Sequence, residues 1–141
     1  MKILSKIIMD FFKLETIDSI PTGNIPAVLN LVDDKYLEVM ARNHKIDFDN
    51  LSLDDIKKDL HKAINNNFKD ILLTFNKSEL KSFNEFYQGI VDYSDEMVYI
   101  NLKKFVSLGF IFLFLSKNGG YFDFVMPDEL IVKFEDLLRN S

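Results

Sequence analysis

Along most of this chain the apolar residues return every three or four positions, the spacing of helices with one buried face. Ile3, Leu4, Ile7, Ile8, Phe11 and Phe12 form the first such stripe, with Lys2, Lys6, Asp10 and Lys13 elsewhere on the wheel. They predict an N-terminal amphipathic helix within residues 1–18. Pro21, Gly23 and Pro26 then predict a loop or linker over 19–26. Short helices are expected over 27–31 and 34–43, the second buried through Tyr36, Leu37, Met40 and Ala41. Ser52 precedes Leu53, Ile56, Leu60, Ala63 and Ile64, and Asp55 stands where a capping-box acid would. The Asn65-Asn66-Asn67 run predicts a break, followed by a separate helix through Phe68, Ile71, Leu72 and Phe75. Asn76 with Glu79 signals a fresh start, carrying Leu80, Phe83, Phe86 and Tyr87 to a stop at Gly89.

The pattern then changes. A helix over 97–108 stops at Gly109, and Phe110 to Leu115 is apolar at every position. The Lys117-Asn118-Gly119-Gly120 stretch reads as a turn, Tyr121 to Val125 as a returning strand, and Pro127 introduces a last helix over 128–139. A hairpin strand with one face in water should alternate, so this one needs cover on its outer face. Expected covers are the N-terminal helix, the C-terminal helix or a partner chain, because a bare apolar strand invites aggregation. The fold class expected is mainly α (α+β): a helical domain with one C-terminal antiparallel β-hairpin. Residues 27–89 form its helical segment and 90–141 its hairpin-bearing segment, in one compact unit.

Composition supports a packed core: 48% of the residues are hydrophobic and fourteen are Phe, too apolar for disorder. There is no Cys, which excludes disulfides, thiolate metal sites and cysteine nucleophiles. The first ten residues, interrupted by Lys6 and Asp10, do not read as a signal peptide, and no run reaches the ~20 apolar residues of a membrane span. A cytoplasmic protein without membrane association is expected. The net charge of −5 is unevenly spread. Residues 1–34 hold three basic and five acidic side chains, 35–69 seven and six, and 70–141 seven and eleven. Phosphate binding needs clustered Lys and Arg, and the hairpin segment lacks them.

The stretch from Tyr36 to Ile46, then a short extended loop, then Leu51-Ser52-Leu53-Asp54-Asp55-Ile56-Lys57-Lys58-Asp59-Leu60, resembles the helix, extended loop, helix of SAP or Rho-N-terminal-like modules. Leu102 to Ile111, with the turn and the run Phe124-Val125-Met126-Pro127-Asp128-Glu129-Leu130, is similar to the winged-helix segment of small uncharacterised bacterial proteins that pair such a module with a SAP-like one. The two resemblances imply a SAP-like segment within 27–89 and a winged-helix-like arrangement over 90–141. They imply binding to nucleic acid or to other proteins. The sequence departs from a SAP-type DNA binder in its charge, since Arg42, Lys45, Lys57, Lys58 and Lys62 are opposed by Asp47, Asp49, Asp54, Asp55 and Asp59.

Motifs for chemistry are sparse. Asp47-Phe48-Asp49-Asn50 opens like a calcium loop, but the sixth and twelfth positions hold Ser52 and Lys58 instead of Gly and an acid. His44 and His61 are the only histidines and read as surface residues rather than a metal pair. The paired acids fall at helix starts and exposed faces, and no glycine-rich phosphate cradle exists. No catalytic residue, metal or cofactor is therefore assigned. The expected function is a non-catalytic protein-interaction or regulatory module acting through Phe112, Phe114, Tyr121 and Phe122, with a protein partner or self-association. The alternative is a nucleic-acid-binding regulator using Arg42, Lys45, Lys57, Lys58, Lys62, Lys103 and Lys104. A small inhibitor encoded by a mobile element is a third reading.

Overall fold

A computed structural model describes residues 16–17, 23–116 and 122–140. In chain order it contains β1 (Thr16–Ile17), α1 (Ile25–Leu29), α2 (Asp34–Asn43), α3 (Leu53–Leu72), α4 (Lys77–Gln88), α5 (Glu96–Ser107), β2 (Phe112–Ser116), β3 (Phe122–Val125) and α6 (Asp128–Arg139). The chain is thus mainly helical, with a small antiparallel pair near its C-terminus followed by a helix. The apolar stripe at residues 3–12, the turn at 117–120 and Tyr121 lie outside the described residues. Thr16–Ile17, assigned above to the end of the first helix, are instead a strand.

Local chemistry sets most helix ends. Asn24, Asp33, Ser52, Asn76 and Asp95 cap α1 to α5 with their side chains, each accepting a backbone N–H of the first turn. At α4 the capping box is complete: the Asn76 side chain accepts from Glu79 N–H at 2.8 Å, and the Asn76 N–H donates to the Glu79 carboxylate at 2.9 Å. α4 and α5 end alike, on a left-handed glycine. Gly109 N–H donates to Val106 C=O (3.1 Å) and Phe110 N–H to Phe105 C=O (2.9 Å), the pair of bonds that closes a helix before the chain turns away. Gly109 has a φ of 73°, and a Cβ there would lie 2.6 Å from Ile64 Cδ1 and 3.0 Å from Met40 Sδ. Only glycine meets both demands.

Two sequence expectations need correction. The Asn65-Asn66-Asn67 run does not break the helix, because α3 continues for 20 residues. Tertiary contacts hold this weak stretch: Lys133 Nζ donates to the Asn65 carbonyl at 2.6 Å and Asn67 Nδ2 meets His44 Nδ1 at 3.2 Å. Pro26 also lies inside α1 rather than in the preceding loop, at a first-turn position where its missing N–H costs nothing.

The sheet order is β1-β2-β3. β2 pairs antiparallel with β3, Phe112 opposite Val125 and Phe114 opposite Asp123, and parallel with β1, Leu115 opposite Thr16. β2 is therefore the central strand, which accounts for its continuous apolar run. One cluster of buried residues extends from Ile25 to Phe134. Phe83 lies near its centre, with the rings of Phe68, Phe75, Phe105 and Phe134 between 5.0 and 6.3 Å away.

Candidate interaction surfaces

The aromatic hairpin is the first surface to locate. Phe112 and Phe114 are fully buried, and Phe112 stacks on Tyr36 at 5.9 Å. The Tyr36 hydroxyl accepts the Leu113 N–H at 3.2 Å, and burial pushes its pKa far above the ordinary phenol value. Phe112 thus joins the hairpin to α2, and both phenylalanines belong to the core. The assignment of Phe112 and Phe114 to an interaction surface is corrected accordingly: both side chains are buried within the chain's own core. Phe122 lies in β3, and Tyr121 falls outside the described residues.

His44 is likewise an inner residue rather than a surface one. It terminates α2 and is buried between α3 and α5, with Nε2 2.7 Å from the Leu108 carbonyl and Nδ1 3.2 Å from Asn67 Nδ2. A carbonyl only accepts, so Nε2 carries the proton and Nδ1 accepts from the amide, which defines a neutral imidazole. Burial holds its pKa below the usual histidine value, opposed by the hydrogen bond to Leu108. His61 lies on α3 six residues before Asn67, about 9 Å along the axis, and approaches Glu129 at 3.5 Å. Both Glu129 oxygens also accept the Ile25 N–H, at 3.0 and 3.1 Å, so this acid of α6 ties down the start of α1. Among the described residues no group of His, Cys, Asp and Glu is placed to hold a metal ion.

The basic residues are interleaved with acids. Arg42 Nε lies 3.2 Å from Glu38, and its terminal nitrogen 3.8 Å from Asp49. Lys58 and Lys62 project from α3 one turn from Asp54, Asp55 and Asp59, with Lys57 half-buried beside them. Lys45 is exposed in a left-handed conformation, φ 59°. Lys104 pairs with Glu79 at 2.7 Å and covers the Phe75 ring at 4.8 Å. Lys103 joins Asn43, Ile100, Ser107 and Leu108 around a cleft of about 300 Å³.

Two exposed apolar regions were not assigned from the sequence. The first follows α4 and continues along the outer face of α5: Ile90 (62% exposed), Tyr93 (40%), Met97 (44%) and Ile100 (57%). Met97 and Ile100 are neighbours on one helix face, and Ile100 opens into the cleft with Lys103. The helical period flags both as off the buried face, but only the packing of Val98, Leu102 and Phe105 inside reveals which face is left open. The second is a cleft of about 530 Å³ between α2 and α3, lined by Val39, Phe48, Leu51, Leu53 and Ile56 with Asp34, Lys35 and Glu38. Since α2 begins beside the start of α3 and His44 meets Asn67 near its other end, the two helices run side by side in the same direction, joined by a 44–52 loop of turns and bends rather than the extended one expected. Among the described residues no helix is long and apolar enough to cross a membrane. No protein-family model, curated protein or solved structure matches this chain.

Proposed function

We infer that the protein is a non-catalytic protein-interaction or regulatory module acting through the outer face of α5 and the loop before it. The observation that carries this reading is the exposure of Ile90, Tyr93, Met97 and Ile100 together within eleven residues of chain. Large apolar side chains grouped on a surface favour a protein partner, where desolvated anchors dominate affinity. The order α5, β2, β3, α6 supports the winged-helix-like reading of residues 90–141. The co-directional α2 and α3 support the SAP-like one. The test is a comparison of the parent with a Met97→Asp/Ile100→Asp variant, by light scattering over a concentration series and by quantitative co-purification from the host. Expected is self-association or a defined partner that the variant loses while keeping its thermal midpoint. Identical behaviour of the two proteins would exclude the α5 face.

The nucleic-acid reading keeps Arg42, Lys45, Lys57, Lys58, Lys62, Lys103 and Lys104, and is supported by the helix, loop, helix arrangement. Its test is mixed-sequence duplex DNA at low and near-physiological salt, with Lys57→Glu/Lys58→Glu as the variant. Binding that falls steeply with salt and is lost in the variant would favour it over the α5 surface.

A further inference from the structure

We propose that the cleft between α2 and α3 is a docking site for a basic amphipathic segment of a partner protein, an apolar anchor flanked by Lys or Arg. The floor is apolar: Val39, Phe48 and Leu51 are half-buried, and Leu53 is 41% exposed. At about 530 Å³ it lies within the range that encloses a ligand group or a few side chains. The surroundings are acidic in balance. Asp34 and Glu38 line the cleft with Lys35, and residues 33–56, which span both of its sides, carry seven carboxylates against Lys35, Arg42 and Lys45. Helix starts explain Asp33, Asp34, Asp54 and Asp55. They do not explain Glu38, Asp47 and Asp49. The two helix N-termini contribute about half a positive charge each, so the surroundings of the cleft keep a negative balance.

The walls already engage one cation of the kind proposed. Arg42, a turn beyond Glu38, reaches Glu38 at 3.2 Å and Asp49 at 3.8 Å, joining the helix wall to the loop wall. A partner Lys or Arg would find comparable acceptors at Asp34, Asp54 and Asp55, all exposed. An amphipathic helix laid in the groove would place its apolar side chain over Phe48 and Leu53 and its cations on the rim, the usual mode of helix-in-groove recognition. The same field repels a phosphate backbone and acidic peptides. This inference is independent of the α5 surface, which lies on different residues.

The test uses the full chain and two fluorescein-labelled 16-residue amphipathic peptides with the same apolar positions, one flanked by Lys and one by Glu. Anisotropy titration is expected to detect the Lys peptide, weakening with salt, and not the Glu peptide. In the parent, amide chemical-shift changes should concentrate at Val39, Phe48, Leu51 and Leu53. Leu53→Glu, and separately Asp34→Lys/Asp54→Lys, should each weaken the Lys peptide by about tenfold or more, whereas Met97→Asp/Ile100→Asp should not. Equal affinity for both peptides, shifts located away from the cleft, or duplex DNA shifting the same four amides would overturn the proposal.

Discussion

The segment of α2 and α3 and the segment from α4 onward bury themselves with different side chains. The first contributes aliphatic residues to the core, among them Leu37, Met40, Ile56, Leu60 and Ile64, under a surface of mixed charge. The second contributes Phe83, Phe86, Phe105, Phe110 and Phe134, joined by Phe68 and Phe75 from the end of α3 and the turn after it, and these rings meet mostly edge to face. Such ring pairs add roughly 0.5–1.5 kcal/mol each beyond the area they bury, and they join residues far apart in sequence. The aliphatic segment is organised by local rules and the aromatic one by long-range contacts. Where they meet, the contacts include hydrogen bonds: Tyr36 to Leu113, His44 to Leu108 and Asn43 to Ser107. The junction is thus held in one register by directional bonds, which apolar packing alone does not impose.

The comparison is broken most severely at the ring cluster. Phe83→Ala removes a ring shared by four others and should cost about 3–5 kcal/mol in urea unfolding. A comparable loss from Leu60→Ala is expected to be smaller, about 2–4 kcal/mol, with fewer ring contacts forfeited; equal losses would erase the distinction between the halves. Gly109→Ala comes next. A positive φ and a Cβ 2.6 Å from Ile64 together predict about 2–4 kcal/mol of destabilisation, while Gly89→Ala, with open space at its Cβ, should cost only about 1 kcal/mol. The difference between the two glycines measures how tightly the halves abut.

The junction histidine predicts a pH dependence. Its folded pKa lies below the ordinary 6.5, so the unfolded chain binds more protons between the two values and stability decreases as pH is lowered through that window. The contribution is fully present above about pH 6.5 and is lost as pH drops through the folded value. His44→Gln should flatten this part of the profile of thermal midpoint against pH; an unchanged profile would remove His44 as its source. Smallest of all is the local effect of Asn76→Ala, about 1 kcal/mol from the lost cap, visible as faster amide exchange in the first turn of α4.

Much of the helical architecture was legible. The spans 34–43 and 128–139 coincide with α2 and α6, and the Asn76, Glu79 and Gly89 signals bound α4. The Asn-rich stretch was misread because asparagine's weak propensity was weighed without the lysine and histidine that meet it from α6 and α2. The candidate site was less legible. An apolar run announces burial or a partner, and deciding between them required knowing that β2 is paired on both edges and packed under Tyr36.

What the sequence determined by itself was therefore the start and stop of helices, since capping side chains and left-handed glycines act within about six residues of chain. The tertiary structure alone decided that Phe112 and Phe114 go inside, that His44 is a buried neutral link and that α5 presents Met97 and Ile100 to solvent. It also decided that apolar residues of two separate segments line one cleft beside the acids of α2. Each of these depends on which distant surface arrives at a residue, and burial and electrostatic potential are properties of that meeting rather than of any local stretch.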